Sequence, residues 1–212
     1  MTGTRKPGAV TTALAMVLAV ALLALLTAGP AETASRYKVV TRTFSSNTPI
    51  VFPNLAGPAA PYPSDRKVGG FDQGKILDVN LTLKNFSHAF PDDVDMMLSH
   101  RGMNRTVMSD VGGESDANNI IVRLDDEAAS PLPGSTQLSG GTFKPTNVND
   151  LFDSADTFPF PAPTPSGLRP LSGFDGLNPN RPWSLWVVDD TDFDLGQFAG
   201  GWSITIKARV LR

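Results

Sequence analysis

From Lys75 to Phe86 the chain reads KILDVNLTLKNF, and no other stretch limits its fold so sharply. Leu77, Val79, Leu81 and Leu83 alternate with Asp78, Asn80, Thr82 and Lys84. A period of two puts the apolar set on one face of a β-strand and the polar set on the other. One dry face and one wet face is the habit of antiparallel sheets. The alternation returns in DVDMML, with Val94, Met96 and Leu98. It returns again in GWSITIKARV, where Trp202, Ile204 and Ile206 alternate with Ser203, Thr205 and Lys207. RYKVVTRTF, NRTVMS, NIIVRL and a short stretch at Thr142–Phe143 read as further strands. WSLWVV is apolar both ways, with Trp183, Leu185 and Val187 on one face and Trp186 and Val188 on the other. That pattern predicts a central strand whose second side is partly covered. Eighteen prolines and nineteen glycines punctuate the chain and argue against long helices. The expected fold is all-β, a sandwich of about eight antiparallel strands over residues 36–212.

The first thirty residues follow a different logic. Arg5 and Lys6 precede ALAMVLAVALLALL, an unbroken apolar run from Ala13 to Leu26, and small residues Gly29 and Ala31 follow it. That order is the order of a secretory signal peptide, here residues 1–31, with cleavage expected after Ala31 and Ala28 or Ala34 as alternatives. The competing expectation is an uncleaved membrane anchor, but the run is shorter than the roughly 20 residues a spanning helix needs. Without Arg5 and Lys6, sixteen basic residues face twenty-one acidic ones, and no basic block offers nucleic acid an electrostatic footprint. The chain has no cysteine, so a secreted domain of this kind must be held by its core, with or without a metal. The expected localisation is extracellular, the expected state a monomer, and the expected partner a protein or an extracellular polymer.

Two segments lack periodicity. Residues 45–64 read as an extended surface segment, with Ile50, Val51, Phe52 and Tyr62 covering an edge of the domain. Residues 151–182 hold seven of the eighteen prolines. They read as a long connection across the surface, with Phe152, Phe158, Phe160 and Phe174 packed down. Of the three tryptophans only Trp186 falls off the core phase, which makes it the one candidate for stacking on a sugar.

The chemistry-bearing residues are mostly carboxylates. Asp92, Asp93 and Asp95, then Asp110, Glu114 and Asp116, then Asp125 and Asp126 crowd at expected strand ends. Turns gathered at one rim bring like charges together, and a cation between them relieves the repulsion. Calcium takes 6–8 oxygen ligands in flexible geometry. Asp93, Asp110 and Asp116 are the expected ligands; the alternative is a set of acidic turns holding no ion. Catalysis has little to stand on. There are two histidines, His88 and His100, no GxSxG elbow, no HExxH helix and no thiol. The acidic loop from Asp189 to Asp194 reads as a turn, with Gly196 supplying its glycine-favoured conformation.

SHAFPDDVDMMLSHRGMNRTVMSDVGG, residues 87–113, resembles the opening of the P domain of proprotein convertases, with His88, Phe90, Asp93, Leu98 and Gly102 in the family's order. The closing pattern is similar too: Trp183, Leu185, Val187 and Asp189, then Asp194, Gly196 and Phe198, then Trp202, Ile204 and Ile206. SGGTFKPTN resembles the family's mid-domain stretch. The resemblance covers residues 70–207 and leaves residues 32–69 as an N-terminal strand and surface segment. It departs from the family at Arg181-Pro182, at Gly200-Gly201 and in the long connection at 151–180. It implies a jelly-roll-like sandwich, a structural role for His88, calcium as in several bacterial members, and Asp189 either as a fourth ligand or as an acceptor of hydrogen bonds from loop backbone amides. Such domains sit beside subtilisin-like protease domains, for which the remaining residues are too few. The expected function is therefore a non-catalytic accessory or binding module. The alternatives are a protein tied to proteolysis through a serine-protease partner and a surface-anchored structural protein.

Overall fold

A computed structural model describes residues 1–4, 36–148 and 156–212. The expected leader with its cleavage point, and Phe152, lie outside the described residues. Tyr37–Arg212 form one compact unit, and two packed sheets make it a β-sandwich. The first sheet holds β1 (Tyr37–Ser46), β2 (Ile50–Val51), β5 (Lys75–His88), β8 (Ala117–Leu124), β9 (Gly141–Phe143), β12 (Gly196–Phe198) and β13 (Trp202–Leu211). The second holds β3 (Gly57–Pro58), β4 (Ser64–Val68), β6 (Val94–His100), β7 (Met103–Ser109), β10 (Thr146–Asn147) and β11 (Arg181–Asp189). Eight of these strands have five residues or more, and every pairing between those eight is antiparallel. The two parallel pairings, β10 on β7 and β9 on β8, are two and three residues long. Among the described residues the only helical turns are the 3-10 segments Pro91–Asp93 and Leu171–Phe174.

The period-two pattern explains which strands are central. β5 pairs with β13, β12 and β8, and its Val79, Leu81 and Leu83 enter the core. Val94, Met96 and Leu98 of β6 and Trp183, Leu185 and Val187 of β11 meet them from the other sheet. Trp202, Ile204 and Ile206 of β13 complete the layer. Fully burying side chains of this size stabilises by roughly 1.5–3 kcal/mol each, so a cysteine-free domain is held by this layer.

Four expectations need correction. Leu77 is 44 % exposed and Ile76 is buried in its place. The register of β5 against β13 slips between Lys207 and Ala208, so Ile76 pairs with Ala208 while Asp78 pairs with Lys207. The extra residue reverses which side chain faces inward. Trp186 is not a free aromatic face. It is buried, its Nε1 donates to Ser99 Oγ at 2.8 Å, and Tyr62 stands edge-on to it at 5.0 Å. Phe160 is fully exposed rather than packed down, although Phe174 is buried against Trp183. Residues 45–64 are more than a surface cover: Ile50 and Phe52 are core residues and β2, β3 and β4 all join the sheets.

The outer face of the second sheet is covered as well. Thr106 N–H donates to Leu168 O, Ser166 N–H to Asn104 Oδ1, and Tyr62 Oη to Pro159 O. The described part of the proline-rich connection therefore lies across this face. Prolines suit the task, because they hold an extended path without needing a ladder partner for an N–H.

Candidate functional site

Acidic side chains collect where β6 begins and β7 ends. The turn Pro91–Asp93 leads into β6, and Asp95 follows one residue inside it. Asp110 follows β7 directly, in left-handed backbone with φ +54°. Asn147 of β10 pairs with Ser109 of β7, which places it beside the same strand end. The register thus sets β10, β7 and β6 side by side with their acidic ends together.

A cleft of about 730 Å³ opens there. Its charged lining is Asp92, Asp93, Asp110, Glu114 and Asp190, and among the described residues no lysine or arginine lines it. Asp93 Oδ2 is buried and meets no hydrogen-bond partner among the described residues. Burial, followed by the negative charges of Asp190, Asp189 and Asp194, pushes the Asp93 carboxyl up to about 7, against a smaller opposing bond from the Thr191 side chain. A carboxyl raised in the folded state stabilises fully below its ordinary value near 4 and loses that contribution as pH rises through about 7. In chelator, the urea midpoint is accordingly expected to fall between pH 5 and pH 8 for the native chain and to fall less for Asp93→Asn. Equal slopes for the two proteins would place the titration elsewhere.

Beside the cleft lies a tighter cluster. Asp95, Asp110 and Asp156 each present an oxygen, and the three oxygens lie within 4.8 Å of one another. Asp95 is 4 % exposed and Asp110 8 %. Ser109 Oγ stands 2.8 Å from Asp110 Oδ2 and 2.8 Å from Asp156 Oδ1. A hydroxyl has one hydrogen, so it serves one of these oxygens at a time. Asn147 Nδ2 donates to Asp156 Oδ2 at 2.6 Å, while Asn147 Oδ1 is buried without a partner among the described residues.

The four expected ligands separate. Asp93 and Asp110 line one cleft. Asp116 is exposed in the turn before β8, and its carbonyl accepts from Gln137 Nε2. Asp189 is buried and spoken for: Oδ2 lies 3.1 Å from His88 Nε2, with both side chains fully buried, and Oδ1 accepts from Thr191 N–H. Of the tight cluster, the sequence names Asp95 among the acidic residues at strand ends but not as a ligand, and it does not single out Asp156 at all.

The loop after Asp189 is a braced turn. Asp190 N–H donates to Asp93 O, Phe193 N–H to Asn54 O, and Ala56 N–H to Asp192 Oδ1 at 2.7 Å. Its left-handed residue is Phe193, at φ +78°, rather than Gly196. Gly196 is needed for another reason. A Cβ there would collide with the His88 ring and the Ser87 carbonyl oxygen.

Both histidines are engaged at each ring nitrogen. His88 Nδ1 faces the Phe90 backbone and Nε2 faces Asp189. His100 lies between the carbonyls of Pro182 and Asn178 and stacks on Trp183 with ring centroids 4.0 Å apart. Burial lowers its pKa, more than the two carbonyls raise it. No protein-family model, curated protein or solved structure matches the chain.

Proposed function

We propose that the protein is a secreted, non-catalytic binding module, P-domain-like in character, whose acidic cleft recognises a cationic segment of a partner protein. The observation that carries this reading is the cleft itself: about 730 Å³, with five carboxylates and, among the described residues, no basic side chain in its lining. The size falls in the range of ligand-binding clefts. A concave wall of one charge concentrates its field and draws ligands of the other sign. Lysine or arginine side chains satisfy such a wall, and an extracellular peptide segment is the simplest carrier of several. The two imidazoles, each with its nitrogens facing fixed protein groups, support a binding role over hydrolysis, because a general base must face a substrate proton. The residues that resemble a P domain, and the expected leader, support an exported accessory module.

Calorimetric titration with hexalysine and hexaglutamate peptides tests the reading. Hexalysine is expected to bind with strong salt dependence. The double variant Asp92→Asn/Asp190→Asn is expected to weaken it about tenfold, the equivalent of about 1.4 kcal/mol. Equal binding of the two peptides, or hexalysine binding that the double variant leaves unchanged, would contradict recognition at the cleft. Hydrolysis of casein that disappears in His88→Ala would contradict the non-catalytic reading.

A further inference from the structure

We infer that Asp95, Asp110 and Asp156, with the side-chain oxygen of Asn147, bind one calcium ion that ties Asp156 to the ends of β6, β7 and β10. The site shares Asp110 with the neighbouring cleft, but the inference does not depend on what that cleft recognises. Two observations on different residues meet here. The first is the convergence of three carboxylate oxygens within 4.8 Å, two of the three residues being buried. The second is Asn147, which is 7 % exposed: its Nδ2 touches Asp156, its Oδ1 has no partner among the described residues, and turning the amide over brings Oδ1 to the cluster in place of Nδ2. A buried acceptor left unmatched costs on the order of 1–3 kcal/mol, and an ion is one of the few things that satisfies it.

Oxygens that all lie within 4.8 Å of one another can share one ion at about 2.4 Å from each. Calcium accepts such a set in flexible geometry, whereas magnesium demands a near-ideal octahedron at about 2.1 Å and keeps several of its waters. The donors are all oxygens of carboxylates and an amide, the set that hard cations prefer and zinc or copper do not. Three carboxylates and one amide fill part of a calcium shell, and the open neighbouring cleft admits water for the rest. The ion reinforces a thin part of the ladder and reaches one residue beyond it. β10 meets β7 through only two residue pairs, and Asp156 belongs to no strand.

The test uses the full chain and calcium itself. Isothermal titration after chelator treatment is expected to give one calcium per chain. Millimolar calcium, at fixed ionic strength, is expected to raise the melting temperature by several degrees over chelator, with magnesium giving far less. Asp156→Asn and Asn147→Ala are expected to weaken binding about tenfold or more. Asp92→Asn/Asp190→Asn, which alters the cleft and none of the four ligands, is expected to leave calcium affinity within about twofold. Asp156 and Asn147 are used because Asp95→Asn risks misfolding inside β6. No saturable calcium binding by the native chain would overturn the inference. So would equal affinity for magnesium, or calcium binding that survives Asp156→Asn and fails in the cleft double variant. Loss of hexalysine binding with calcium binding intact would sink the cleft reading alone.

Discussion

Trp202→Ala is expected to lower stability by about 3–5 kcal/mol, the usual cost of truncating a buried aromatic. Trp202 is fully buried in β13, and its Nε1 donates to Ser64 Oγ at 2.9 Å. β13 lies between β1 and β5 and pairs with each along most of its length. Ser64 begins β4 in the opposite sheet, so the one indole spans both layers. Alanine opens a cavity between the sheets and strands a buried hydroxyl. For a domain of this size the loss corresponds to a fall in melting temperature of about 6 °C or more. The urea midpoint of Trp202→Ala against the native chain measures it. A midpoint that stays in place would mean that the two layers do not close over this ring.

Asp189→Ala carries the second large effect, about 3 kcal/mol or more. The change leaves the fully buried His88 ring facing an empty space at Nε2 and frees Thr191 N–H. It also loosens the anchor from which the cleft residue Asp190 departs. His88→Ala removes the other half of the same contact, and Phe52, 4.7 Å away by ring centroid, loses a packing partner with it. The two losses are expected to be strongly non-additive, with a coupling of about 1–3 kcal/mol in a double-mutant cycle. Costs that simply add would show that His88 and Asp189 act independently. A native-like stability for Asp189→Ala would show that the carboxylate is not held inside the sandwich.

The two residues also show what the sequence reading reached. The strand phase of β13, β6 and β11 was legible because each strand has one face in the core, and a period of two then names the buried side chains. Leu77 escaped it because a bulge leaves no mark in an alternating pattern that continues on either side. Asp93 and Asp110 were reached as expected ion ligands because both sit at strand ends, where turns place charge; the structure sets both in the lining of one cleft. Asp189 was reached only in part: its position by resemblance, with a backbone bond to the loop as one possible role, but not its burial against His88.

Asp95 was harder. Its alternation with Val94 and Met96 assigns it to the outer face of β6, which an antiparallel sheet normally leaves wet. Met97 and Ser99 share that side of the strand with Asp95, and Trp186 and Val188 stand on the matching side of β11. An apolar Met97 off the core phase was the available sign that this face is covered, and that Asp95 is buried with it. Asp156 had no such sign. It lies in a proline-rich stretch without periodicity, and its meeting with Asp110 depends on how that stretch crosses the sheet. Asp116 failed for the opposite reason. It is close to Asp110 along the chain, but the turn before β8 leaves it exposed.

The acidic end of the sandwich is more than a set of solvated turns only if something cationic belongs there. Diffraction from crystals grown in calcium, with data collected for the anomalous signal, tests this most directly. The expected result is one anomalous peak about 2.4 Å from oxygens of Asp95, Asp110 and Asp156, with the Asn147 amide turned so that Oδ1 points at it. Clear density for all four side chains with no peak among them, and Asn147 Oδ1 satisfied by an ordered water, would contradict the account.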